Sequence, residues 1–132
     1  MQADEVVEGY WQHYLLSQSG ARGDRLAAGD LFWAYESVEA AINGAVEPGL
    51  PVVAPVELMC KLAERAPDDK ALVYLGAGPV EIYLRLPNPD VDAVERAARR
   101  SERFRAALRS AWFDENLPGA DAERLRRFGP PL

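Results

Sequence analysis

Apolar side chains at Val7, Tyr10, Trp11, Tyr14 and Leu15 follow the i, i+3, i+4 spacing of one helix face, so the pattern predicts a first helix from Val6 with Asp4 as its N-cap. Ser17 to Gly29 (SQSGARGDRLAAG) carries three glycines and mixed charge, and reads as a loop holding at most one helical turn over Asp24 to Ala28. A second helix, capped by Asp30, carries the stripe Leu31, Ala34, Tyr35, Val38, Ala41, Ile42 and Ala45. The three prolines of Glu47 to Pro55 (EPGLPVVAP) exclude a helix interior and predict an extended crossover.

Pro55 suits the first turn of a third helix with Val56, Met59, Cys60 and Ala63 on its apolar side, ended by Pro67. Asp68 and Asp69 then cap a short helix to Leu75, which Gly76 and Gly78 stop in left-handed backbone before Pro79 opens another to about Leu86. A strand over Ala71 to Leu75 competes, because Val73 and Tyr74 favour pleated backbone. From Asp90 or Val91 a long amphipathic region lines Val94, Ala97, Ala98, Phe104, Leu108, Ala111 and Trp112 on one side, and Ser101 can divide it as an internal N-cap. One further short helix fits Ala122 to Phe128 before GPPL frays. The expected fold is all-α: a compact bundle or stack of six to seven short helices in one domain over 1–132, with 118–132 as a loosely packed tail.

Composition narrows the function classes. Hydrophobic residues at 48% and charged residues at 27% exclude a disordered chain. Cys60 is the only cysteine, so no internal disulfide forms. The N-terminal MQADEVVEGYWQ has acids where a secretory signal carries Lys or Arg, and no run approaches the ~20 apolar residues that cross a bilayer. A soluble cytoplasmic protein is expected, without membrane association. Residues 1–90 hold 6 basic and 14 acidic side chains, net −8, while 91–132 hold 9 and 7, net +2. The acidic body would repel phosphate, which argues against nucleic acid and for a protein partner with a basic surface.

His13 is the single histidine and sits among aromatic residues, where a structural role outweighs general-base chemistry. No HExxH, CxxC or paired-ligand spacing occurs, so neither a metal site nor a cofactor is expected. Gly76-Ala77-Gly78-Pro79 has the glycines of a phosphate loop, but Pro79 removes a donor and the full patterns are missing. Cys60 has no neighbouring basic residue in its stripe and reads as core. Asp68, Asp69 and Glu81 flank the glycine segment; they could converge as acid/base or metal-binding carboxylates, yet capping explains them more simply. Arg96, Arg99, Arg100 and Arg103 are interleaved with acids, including the i, i+4 pairs Asp92–Arg96 and Glu95–Arg99, and read as a solvated face.

Phe32 and Trp33 are the least expected residues, because the stripe of the second helix puts Trp33 nearly opposite the core and Phe32 beside it. They require either a second layer within the molecule or a partner-binding patch ringed by Glu36 and Glu39.

The segment APDDKALVYLGAGPVE, Ala66 to Glu81, resembles a family of short uncharacterised bacterial proteins in which APDD and an LGAGPxE turn recur. YWQHYLL, FWAYESV and VERAARRSERFRAALRSAW are similar to the same family, which extends the resemblance through Trp112. The resemblance implies no activity; small helical proteins of this kind are associated with immunity or accessory roles in bacterial conflict. The leading expectation is a non-enzymatic, immunity-type protein that occludes a partner, such as a basic toxin or effector, through Phe32, Trp33, Glu36, Glu39, Asp68, Asp69 and Glu81. The alternatives are a metal-assisted hydrolase or transferase built on the carboxylates around Gly76–Gly78, and a homo-oligomeric scaffold subunit.

Overall fold

The computed structural model describes residues 2–129, leaving the expected fraying of the last three residues outside the described part. The elements are α1 (Ala3–Gln18), α2 (Arg22–Asp30), α3 (Phe32–Ile42), α4 (Pro55–Glu64), α5 (Asp69–Leu75), a π-helical turn (Gly76–Val80), α6 (Glu81–Leu84), α7 (Val91–Arg100), α8 (Glu102–Leu108) and α9 (Gly119–Arg126). The fold is all-α, and no strand forms among the described residues, so Ala71–Leu75 is helix.

Three side-chain caps explain where helices begin. Asp68 accepts from the Ala71 amide at 2.8 Å to open α5, Asp90 from the Ala93 amide at 3.0 Å to open α7, and Ser101 from the Phe104 amide at 3.0 Å to open α8. Ser101 has extended backbone between α7 and α8 and also donates to Glu64 Oε1 at 2.6 Å. At the first helix the N-cap is Gln2 rather than Asp4, which lies in the first turn where its carboxylate still faces the positive helix end.

The stretch expected as a loop before Gly29 contains α2. Its apolar content is too low to signal a helix, but Ala28 is buried and α2 packs along α1. Asp30 consequently ends α2 instead of capping the next helix, whose N-cap is Leu31.

The glycine segment also departs from expectation. Gly76 keeps right-handed helical backbone, and α5, the π turn and α6 run on as one rod, with Pro79 inside the helix. A π turn widens the ring at the place where proline would otherwise crowd the preceding carbonyl. Gly76 serves close approach: a Cβ there would stand 1.8 Å from the Ala107 carbonyl oxygen of α8. Around this crossing Leu75, Leu84, Phe104, Leu108 and Phe113 are fully buried.

Within the segment expected to pack loosely, the described residues 118–129 include buried Ala122 and Leu125, and Arg124 of α9 pairs with Asp92 at 2.6 Å and with Glu95, both on α7. Arg126 lies 4.0 Å over the Phe113 ring and bonds Asp114 at 3.0 Å. Asp92 therefore joins Arg124 instead of the expected Arg96. Arg103 leaves the solvated face to donate to the carbonyls of Ala63, at 2.8 Å, and Ala66, closing the C-terminal end of α4. The Glu95–Arg99 pair forms at 2.6 Å.

Candidate functional site

Helices α1 and α3 cross closely because position 9 is glycine: a Cβ there would lie 2.9 Å from Ala34 Cβ and 3.3 Å from Trp33 Cζ2. This approach stacks aromatic residues of the two helices into one cluster. Tyr10 and Tyr35 lie parallel with centroids 6.2 Å apart, Phe32 stacks on Tyr35 at 5.5 Å, and His13 stands 5.9 Å from Phe32 and 5.7 Å from Tyr35. Tyr74 of α5 completes it, 6.2 Å from Tyr10 and 4.7 Å from Tyr14. Trp11 packs edge-on against Tyr10 at 5.0 Å and Tyr14 at 5.6 Å between centroids, and donates from Nε1 to the Leu62 carbonyl at 2.9 Å, which fixes α1 on α4.

Between α1, α3 and the π turn a cleft of about 200 Å³ opens. Tyr35, Tyr74 and Glu39 bring polar groups to it, and the buried Tyr10, Val38, Ile42 and Pro79 back it, with Ile82 on its apolar wall. Tyr35 donates to Glu39 Oε1 at 3.0 Å, and burial together with that bond pushes the Tyr35 hydroxyl up to about 12. Tyr10 is 1% exposed and its hydroxyl has no hydrogen-bond partner. Burial, followed by the neighbouring Tyr74, drives its pKa far above the ordinary phenol value, so it is a neutral hydroxyl. Burial lowers the His13 pKa, leaving the imidazole neutral near pH 7.

The residues singled out in the sequence separate into two groups. Phe32, 45% exposed, stacks on a tyrosine of the cleft, Glu39 lines it, and Glu36 is exposed on the same helix. Trp33 is not opposite the core: it leans on α1 at Gly9 and remains 39% exposed, half in a second layer and half at the surface. Asp68 caps α5 within electrostatic reach of Tyr14, and Asp69 is exposed beside it. Glu81 belongs elsewhere, accepting the Trp112 amide at 2.6 Å. Thirteen positions along one helical rod, at a rise of ~1.5 Å each, separate Asp68 from Glu81 by ~20 Å, so those carboxylates do not converge. Among the described residues no group of three His, Cys, Asp or Glu side chains is placed to hold a metal ion.

Cys60 is half-buried rather than core, and Arg100 of the following helical layer lies beside it; burial raises the thiol pKa more strongly than Arg100 lowers it. That leaves the thiol protonated near neutrality. Tyr10 and Tyr35 were legible as stripe positions and Tyr74 only as a residue favouring pleated backbone, none of them as a site. Four of the five tyrosines join the aromatic cluster, three of them lining the cleft, and the available signal was that phenol hydroxyls on an apolar stripe need partners.

Among the described residues no helix is long and apolar enough to cross a membrane. Comparison with protein families matches residues 22–127 to a family of unknown function, DUF6869. No curated protein and no solved structure matches.

Proposed function

The chain belongs to DUF6869, a family of unknown function, and from that premise and the geometry of the α1–α3 face we propose that it is a non-enzymatic binding protein of the immunity or accessory type. It occludes a basic surface of a partner protein. The observation that carries this reading is the tyrosine cleft with Glu39 in its lining and the half-exposed Phe32 ring stacked on Tyr35; Trp33, half-exposed on the same helix, leans on Gly9. Exposed aromatic anchors beside a partly desolvated pocket are the arrangement from which interfaces draw most of their energy. The net −8 of residues 1–90 supports a basic partner, attracting it over distances set by ionic strength. The ~20 Å between Asp68 and Glu81 removes the support that a carboxylate-based hydrolase would need.

Quantitative affinity capture from the native lysate tests the reading, comparing the wild-type chain with Phe32→Ala/Trp33→Ala and, as control, Val52→Ala, whose side chain is exposed outside the cleft. A stoichiometric partner retained by wild type and control but lost by the double variant supports it. No stoichiometric partner, or one retained equally by all three, overturns it.

A further inference from the structure

We propose that the cleft holds the guanidinium of one arginine side chain supplied by that partner. The proposal rests on the binding reading above and gives the site a ligand.

Size comes first. Pockets for small molecules span roughly 300–1,000 Å³, and this cleft is about 200 Å³, the scale of a single side chain. Charge comes next. Among the described residues Glu39 is the one charged residue in the lining, and no Lys, Arg or His lines the cleft to favour an anion. His13, on the far side of Tyr35, adds no positive charge, because burial keeps it neutral.

Hydrogen-bond acceptors come third. Tyr35 spends its proton on Glu39, which leaves its oxygen free as an acceptor. The Glu39 carboxylate has acceptor capacity beyond the Tyr35 bond.

The walls suit the same group. The partly exposed rings of Tyr35 and Tyr74 present aromatic surface to a cation. Ile82, 37% exposed in the lining, suits an aliphatic stem. Arginine is preferred over lysine because guanidinium is planar, stacks on aromatic faces and is less strongly hydrated than ammonium.

The test uses the full chain, labelled with nitrogen-15, titrated with N-acetyl-arginine amide, its neutral isostere N-acetyl-citrulline amide, and N-acetyl-lysine amide. Saturable shifts centred on the Tyr35, Tyr74 and Gly78 amides are expected with the arginine probe. Citrulline should bind at least about fivefold more weakly, with lysine between the two. Glu39→Gln, at an exposed position that leaves the fold intact, should abolish the preference for arginine over citrulline. Equal binding of arginine and citrulline, lysine binding tighter than arginine, or shifts centred away from the cleft would each overturn the proposal. If that occurs while partner capture still depends on Phe32 and Trp33, the binding function stands and only its ligand assignment falls.

Discussion

Gly76→Ala places one methyl group where the α5 rod crosses α8. The added carbon would stand 1.8 Å from the Ala107 carbonyl oxygen, 2.8 Å from the carbonyl carbon and 2.9 Å from Ser110 Cβ. Carbon–oxygen contacts ordinarily begin near ~3.3 Å, so the two backbones must part by roughly 1.5 Å. A radial gap of ~0.5–1 Å already forfeits a quarter to a half of each atom pair's dispersion attraction, and Leu75, Phe104 and Leu108 lie fully buried beside the crossing. Overpacking typically costs about 1–3 kcal/mol, and a clash with backbone belongs at or above the upper end. Alanine returns about 1 kcal/mol of helix propensity, leaving a net loss of about 2–3 kcal/mol. In a domain of this length that lowers Tm by roughly 8–12 °C. Gly78→Ala is the matched control, because a Cβ there meets nothing within 4 Å. It should hold or raise Tm, by up to about 1 kcal/mol of stability. Thermal melts followed by circular dichroism read both. A Gly76→Ala protein that melts at or above wild type, or two variants that shift alike, would refute the close-crossing account.

Tyr10→Phe removes an orphan hydroxyl while keeping the ring, so the unliganded protein should gain about 1–2 kcal/mol in urea unfolding; a loss would mean that the hydroxyl has a partner after all. Ser101→Ala deletes both the α8 cap and the bond to Glu64 and should cost about 1–2 kcal/mol, read as a lower urea midpoint with an unchanged m-value. Acid should act in two steps. His13 has a folded pKa below its unfolded value of about 6.5, so its contribution is complete above that pH and is lost as pH falls through the folded value. Hydrogen bonds and charge from Arg124 lower Asp92 and Glu95, whose contribution is present above about pH 4.5 and disappears as pH falls further. Denaturation midpoints should therefore decline from pH 7.5 to 5.5 and again to 3.5, with His13→Gln flattening only the first step; a midpoint that rises on acidification would contradict this.

Local rules written in single residues were legible in the sequence. The caps at Asp68, Asp90 and Ser101, the proline start at Pro55 and the apolar stripes of α1, α3 and α7 follow from short-range chemistry. Two features were hidden because tertiary packing decides them. Helix α2 has few apolar residues of its own and is held by its contact with α1, and the Gly76 segment continues as helix because Gly76 answers to the α8 backbone rather than to its own turn. The site was half visible. Phe32 and Trp33 stood out as misfits to their stripe with Glu39 among the acids ringing them, whereas Tyr10 and Tyr35 fitted their stripes, Tyr74 stood in a segment open to strand, and the three disclosed nothing until three helices brought them together.

On the proposed reading, a basic segment of another protein enters between α3 and the π turn. Photocrosslinking in cells tests it most directly, with p-benzoylphenylalanine at Ile82 on the cleft wall and, as reference, at Val52 on the exposed crossover. The account predicts one discrete adduct from Ile82 alone, lost with Glu39→Gln, whose crosslinked peptide maps next to an arginine of the partner. Adducts of equal yield from both positions, or an Ile82 adduct indifferent to Glu39, would contradict it.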